Sequence, residues 1–325
     1  MTAPVDNVPL ASPAMTAPAS APRPLARVAL VAKIAVSAAL LVYLSRKVAW
    51  DEVAHRLETA APTLLIATIV LMVGTIFLAA LRWKLLVRDD SLTMRAAVQL
   101  SFAGMFFGQV LPATVGGDVV RGVLAGRAGM EWREVVASIV LDRITALLAS
   151  VILILAGLPA LANAAVGVSV AGTALVSVGL ALVVLVGLYT DRLPLPAALT
   201  RQDKVAAVLR LIARLRTGLL SKAGGAALAL SLAIHLTTVV IVVMIGAAFG
   251  IEVTPLAAFL VVPFAVFAAA VPVSVNGWGV RESLMVSGLG LFGVAAGDAL
   301  LISVVLGLSV VIAVLPGSLT WLALR

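Results

Sequence analysis

Apolar residues in this chain run on in long stretches, broken by short polar clusters rather than by a regular helical or strand alternation. A helix that crosses the hydrocarbon of a bilayer needs ~20 mostly apolar residues. Such stretches cover 28–45, 62–81, 134–157, 162–189, 223–250, 283–300 and 301–322, and each is expected to span. Ile144 to Thr190 hold no charge, enough for two spans with Leu158–Pro159 as the turn. Two further apolar stretches, 96–126 and 256–281, are interrupted midway by proline and glycine. Ahead of the first span, residues 1–22 are rich in Ala, Pro, Ser and Thr and read as part of a disordered tail, 1–25. The length of the 28–45 run and its Lys33 favour a retained helix over a signal peptide.

Composition agrees. The 325 residues are 62% hydrophobic and 12% charged, against about 25% charged in a soluble domain. An ordinary globular domain, a disordered chain and a coiled coil are excluded. No cysteine is present, which removes disulfides, thiolate catalysis and thiolate metal sites. The net charge of +8 lies between apolar runs, so membrane orientation and lipid head groups explain it better than nucleic acid. Basic residues concentrate in 82–95, 127–133 and 191–222, which the positive-inside rule puts in the cytoplasm. All three segments share one side only if 96–126 enters the membrane and returns. Segments 46–61 and 251–255 then face outward, the carboxyl terminus lies outside and Asp298 sits in a cytoplasmic turn between two spans. Within 203–219, Val205, Val208, Leu209, Ile212, Leu215 and Leu219 share one helical face with Arg210 and Arg214 opposite. A basic amphipathic helix in the interface is expected.

The two interruptions are alike. Pro112-Ala-Thr114-Val-Gly116-Gly117-Asp118-Val-Val120-Arg121 aligns without gaps with Pro272-Val-Ser274-Val-Asn276-Gly277-Trp278-Gly279-Val280-Arg281. This points to an internal duplication. Backbone freed by Pro and Gly at membrane depth must be buried in protein or line a wet cavity. Each motif is therefore expected to turn a re-entrant hairpin; a turn at the membrane surface is the alternative. An arginine at the bilayer centre costs ~2.5–3.5 kcal/mol even on lenient scales, so Arg121 and Arg281 need partners. Asp118 and Glu282 are at hand, and Asp142 and Arg143 offer the pairs Asp142–Arg121 and Arg143–Asp118. Gln109 could line a cavity. Arg82-Trp83-Lys84 reads as an interfacial anchor, and His235 as an interhelical hydrogen-bonder.

No catalytic constellation, metal-ligand set or nucleotide-binding motif stands out, so no enzyme activity and no cofactor are expected, and any movement of a cargo would be downhill or ion-coupled. The expected fold is an all-α, polytopic integral membrane protein. It has about seven transmembrane helices plus two re-entrant hairpins in an inverted repeat. One domain, 26–325, holds repeat one (about 62–190), a basic cytoplasmic linker (191–222) and repeat two (about 223–322).

Arg82-Trp83, Phe106-Phe107-Gly108, Leu111-Pro112 to Arg121, Leu141-Asp142-Arg143 and Asn276-Gly277-Trp278-Gly279-Val280-Arg281-Glu282 resemble the lysylphosphatidylglycerol synthase transmembrane-region family. The resemblance implies lipid translocation in a bacterial inner membrane, with an anionic or aminoacylated phospholipid as cargo. The last span ends near Arg325, so no aminoacyl-transferase domain is expected. Arg121 and Arg281 are expected on the lipid phosphate. Gly116, Gly117, Asn276, Gly277, Trp278 and Gly279 would supply the walls and backbone donors of the site. Asp118 and Glu282 would orient the arginines, and Asp142, Arg143 and Gln109 would complete the site. Other readings stay open: a non-catalytic partner holding a lipid-modifying enzyme or glycosyltransferase through 191–222, and an intramembrane enzyme using Asp118 and Asp142. A homo-oligomer is a further possibility.

Overall fold

A computed structural model describes residues 50–88, 92–110, 116–163, 186–192, 202–270 and 274–323, with isolated positions between 31 and 46 and between 172 and 182. The expected tail, most of 28–45 and 162–189, and the prolines of both motifs, Pro112 and Pro272, lie outside the described residues. Among the described residues every regular element is a helix: α1 (Trp50–Glu58), α2 (Pro62–Leu86), α3 (Met94–Val110), α4 (Gly116–Arg127), α5 (Trp132–Asn163), α6 (Asp203–Leu219), α7 (Lys222–Ala248), α8 (Pro255–Ala269), α9 (Val280–Gly290), α10 (Ala296–Val314) and α11 (Pro316–Ala323). Their starts follow local chemistry. Proline opens α2 and α8, where its missing N–H is harmless. Ser221 caps α7 by accepting from Gly224 N–H at 3.0 Å, and Thr254 caps α8 by accepting from Ala257 N–H at 3.2 Å.

Among the described residues, four helices are long and apolar enough to cross a membrane: Pro62–Leu86, Trp132–Leu161, Lys222–Ala248 and Ala296–Thr320. Three of them, α2, α7 and α10, share one core with α9, built on Met72 and Ile76 of α2, Ile241 and Ile245 of α7, Met285 and Leu289 of α9, and Ile302 of α10, while α5 packs in two smaller clusters through Val135 and Leu141. Their outer sides stay bare: Val70 is 63% exposed, Val240 49% and Leu308 49%. A belt of that kind needs an apolar medium.

Three of the four coincide with expected spans. The expected pair 283–300 and 301–322 does not form. Helix α9 stops at Gly290, Gly293 takes a φ of +85°, and α10 starts afresh at Ala296. A single span therefore replaces two. Asp298 lies in the first turn of α10, not in a cytoplasmic turn, and pairs with Arg56 of α1 at 2.6 Å. Arg56 also donates to the Phe249 carbonyl at 3.0 Å, and Ala61 N–H donates to the Ala248 carbonyl at 2.7 Å, so Asp298 shares a face with 50–61 and 249–255. At the other end, Thr320 donates to the Gln99 carbonyl at 3.5 Å on α3. The last helix thus ends towards the basic face that carries 82–95, reversing the expected sidedness.

The interrupted stretches form two helix pairs. Helix α3 starts near the basic face, and α4 returns to it, where Trp132 packs on Gly126. Helix α8 starts from the opposite face, and α9 returns to it ahead of α10. At ~1.5 Å per residue, α3 and α4 are ~26 and ~18 Å long, short of a ~30 Å hydrocarbon core. The two pairs meet where Asn276 Nδ2 donates to the Gln109 carbonyl at 3.4 Å. Small residues let α3 and α4 close up: a Cβ on Gly117 would run into the Gly104 carbonyl and lie 3.1 Å from Gly108 Cα.

Helix α6 corrects the expected amphipathic face. Leu211, Leu215 and Leu219 pack with Leu86, Leu141, Leu188 and Ala227, while Val208 stays exposed. Arg214 sits on the packed side, paired with Glu134 at 2.7 Å and donating to the Leu86 carbonyl at 3.0 Å. Arg216, also buried, pairs with Asp191. The helical stripe 211–215–218, one turn repeated, is the docking face because it carries both the leucines and Gly218, whose missing side chain admits Leu141.

Candidate functional site

A cavity of about 360 Å³ lies between the two helix pairs, α2, α5 and α10. Arg82, Ser101, Gly104, Gly108, Gln109, Gly117, Asp118, Arg121, Asp142, Arg143 and Asn276 line it, with Ala269 and Ala270 on the α8 side. The charged groups come from three helices. Arg82 stands one turn before the end of α2, Asp118 and Arg121 lie in the first two turns of α4, and Asp142 and Arg143 sit about three turns into α5.

These groups form one chain of ion pairs. Arg82 Nε donates to Asp142 Oδ1 at 2.7 Å, and Arg121 donates to Asp142 Oδ2 at 3.1 Å. Arg121 also reaches Asp118 Oδ1 at 3.2 Å, and Arg143 Nε reaches Asp118 Oδ2 at 2.6 Å. The two pairs expected across the motifs, Asp142–Arg121 and Arg143–Asp118, both form. Every oxygen of both carboxylates accepts from a guanidinium. Arg82 further donates to Ser231 of α7 at 3.1 Å. Taking ions out of water costs several kcal/mol each, and only such complete pairing repays it.

The pairing is complete for the carboxylates and incomplete for the cations. Three arginines face two aspartates, a surplus of one positive charge in the lining. Arg121 is 5% exposed and its Nε has no partner among the described residues; nor has the hydroxyl of Ser101, which is 1% exposed. The Arg121 Cζ lies 4.5 Å over the centroid of the Trp83 ring. Trp83 in turn is fully buried and donates its Nε1–H to Ser138 at 3.1 Å. A guanidinium with an unpartnered N–H and an unpartnered hydroxyl in one lining are donors suited to an anion's oxygens.

The family described as the lysylphosphatidylglycerol synthase TM region matches residues 30–317. The chain belongs to this family. It is thereby an integral membrane protein of lipid metabolism or transport. A search of curated proteins gave no match.

In this family member the expected site residues divide. Asp118, Arg121, Asp142, Arg143, Gln109, Gly117 and Asn276 come together around the cavity, while Arg281, Glu282, Gly116, Gly277, Trp278 and Gly279 are not in its lining. Arg281 turns to its neighbour Glu282, lies 4.9 Å over the Trp278 ring, and donates to Ser303 at 3.3 Å. Glu282 is fully buried and also accepts from Gly279 N–H at 2.6 Å, closing the first turn of α9. Asn276, Gly277 and Gly279 all have positive φ, of 50°, 79° and 87°, the left-handed backbone that the Asn-Gly-Trp-Gly sequence favours. Their role is to turn the chain into α9.

Arg82 and Trp83 are buried, not interfacial anchors. The sequence signal that could have found Arg82 is the apolar run resuming beyond it at Leu85–Leu86. Ser101 went unnoticed; its spacing of three and seven from Gly104 and Gly108 marks a small-residue face. His235 of α7 does bridge helices, 3.0 Å from Ser150 Oγ and 3.1 Å from the Ala146 carbonyl of α5.

Proposed function

We propose that this protein is a lipid transporter of flippase type. It holds an anionic phospholipid head group in the cavity between two re-entrant hairpins and passes it across the bacterial inner membrane, its basic face to the cytoplasm. The observation that carries the reading is the surplus of one positive charge in the lining, together with the unpartnered Nε of Arg121, in a cavity bounded by two helix pairs that come from opposite faces. Helix pairs of that kind, too short to cross, meet at depth and can rock against each other around a fixed site. Binding and movement, rather than proton-transfer chemistry, are favoured because every oxygen of Asp118 and Asp142 already accepts from a guanidinium, which holds both carboxylates as structural partners of the arginines. A docking platform on α6 is less favoured, since Arg214 and Arg216 turn inward to Glu134 and Asp191.

The test is reconstitution into vesicles with head-labelled phosphatidylglycerol, following its loss from one leaflet. The wild type should move label at least tenfold faster than protein-free vesicles. Wild type no faster than empty vesicles would overturn the reading.

A further inference from the structure

A second cavity, of about 470 Å³, lies in the wedge between the start of α5 and the middle of α6. It shares no described lining residue with the cavity between the helix pairs, and its size falls in the range of small-molecule sites. The lining changes character with depth. Glu131, just ahead of α5, and Arg133 and Glu134 in its first turn are charged, and Val136 and Ala137 follow. At ~1.5 Å per residue the apolar wall begins ~4.5 Å further into the membrane than Arg133. Ala207 and Leu211 continue that wall on α6. Trp132 is 57% exposed at the same level, where an indole suits the boundary between membrane and water.

The ions of this lining are unequally engaged. Glu134 and Arg214 are spent on each other: two N–H groups of Arg214 reach Glu134 at 2.7 and 3.2 Å, and Arg88 N–H adds a third donor at 2.7 Å. Arg133 and Arg210, one on each helix, have no ion-pair or hydrogen-bond partner among the described residues. Glu131, exposed, is the one remaining carboxylate, so the described lining keeps a surplus of one positive charge. Two uncommitted guanidiniums at the surface end and an apolar wall at the deep end match an amphiphile with an acidic head. Guanidinium forks suit phosphate oxygens. A free phosphate would engage the arginines and leave Val136 and Leu211 uncovered.

We infer that the wedge between α5 and α6 is a second lipid site, in which Arg133 and Arg210 hold the phosphodiester of an anionic phospholipid from the leaflet at the basic face. The first methylenes of a chain lie on Val136 and Leu211. The occupant bridges the two helices beside the Glu134–Arg214 pair that already ties them. This site stands apart from the transport reading, because it uses none of the residues assigned to the cavity between the helix pairs.

The test is photocrosslinking in nanodiscs of phosphatidylcholine. They carry a small share of phosphatidylglycerol with a diazirine near the glycerol end of one chain, and adducts are located by peptide mass spectrometry. Adducts should be at least fivefold denser on 131–137 and 207–214 than around Val240 and Leu308 of the bare belt. Arg133→Gln combined with Arg210→Gln, at residues that make no ion pair, should leave Tm unchanged and cut the wedge adducts at least fivefold. Excess unlabelled phosphatidylglycerol should suppress them, while diacylglycerol with the same chains should not. Adducts no denser than on the belt, no fall in the double variant, or equal suppression by diacylglycerol would overturn the inference. Suppression by inorganic phosphate as strong as by phosphatidylglycerol would reassign the arginines to a free anion and overturn the lipid assignment. Wedge adducts in a protein that moves no lipid in vesicles would fault the transport reading alone.

Discussion

The two helix pairs share a motif and differ in where its arginine goes. In α3–α4, Arg121 reaches across to α5 and shares its charge between Asp118 and Asp142, leaving its buried Nε without a partner among the described residues. In α8–α9, Arg281 is neutralised by the residue next to it, and Ser303, Trp278 and the bare backbone at Gly307 enclose it. One arginine is wired into a network with a surplus, the other into a closed pair. The shared pattern does not fix a shared backbone: Gly116 to Val119 are helical, whereas Asn276, Gly277 and Gly279 hold positive φ ahead of α9, and Arg121 is neutralised partly from α5 while Arg281 is neutralised by the adjacent Glu282.

Breaking the first arrangement should have the largest effect. Arg121→Ala strips a partner from two buried carboxylates at once. Removing one member of a buried pair costs about 3–5 kcal/mol, so a fall in Tm of at least several degrees and loss of lipid movement are expected together. Arg121→Lys separates the two effects: it keeps the charge but cannot fork between Asp118 and Asp142. Its Tm should recover most of the loss while transport stays at least tenfold down. Next comes Gly117→Ala, whose methyl meets backbone rather than a movable side chain. Overpacking of that kind costs about 1–3 kcal/mol, read as a lower Tm. Glu282→Gln removes the charge that closes both Arg281 and the first turn of α9. Thermal stability should fall, and lipid movement per folded protein should stay within about twofold of wild type; a larger loss would put the second pair in the site. The smallest effect is expected from Arg210→Ala on the exposed side of α6, within about 0.5 kcal/mol by denaturant unfolding.

The cost of charge in an apolar setting made part of this arrangement legible from sequence. Asp118, Arg121, Asp142 and Arg143 had to find one another because nothing else nearby could neutralise them, and they do. Arg82 was not legible, since Arg-Trp-Lys at the end of an apolar run also suits a membrane surface; only the fold brings Ser231 and Asp142 to it. The division of 283–322 failed for a similar reason. Its break at Leu291–Ala295 contains apolar and small residues only, so hydropathy offers no boundary, and Asp298 looked like one. Its true partner, Arg56, lies 242 residues away, beyond any local pattern.

The comparison between the pairs can be decided in one assay. Wild type, Arg121→Gln and Arg281→Gln are reconstituted at equal folded amounts, and movement of labelled phosphatidylglycerol is followed in each. The account predicts that Arg121→Gln falls at least tenfold while Arg281→Gln stays within about twofold of wild type. Equal loss in the two variants would contradict it, because both arginines would then serve the cargo alike.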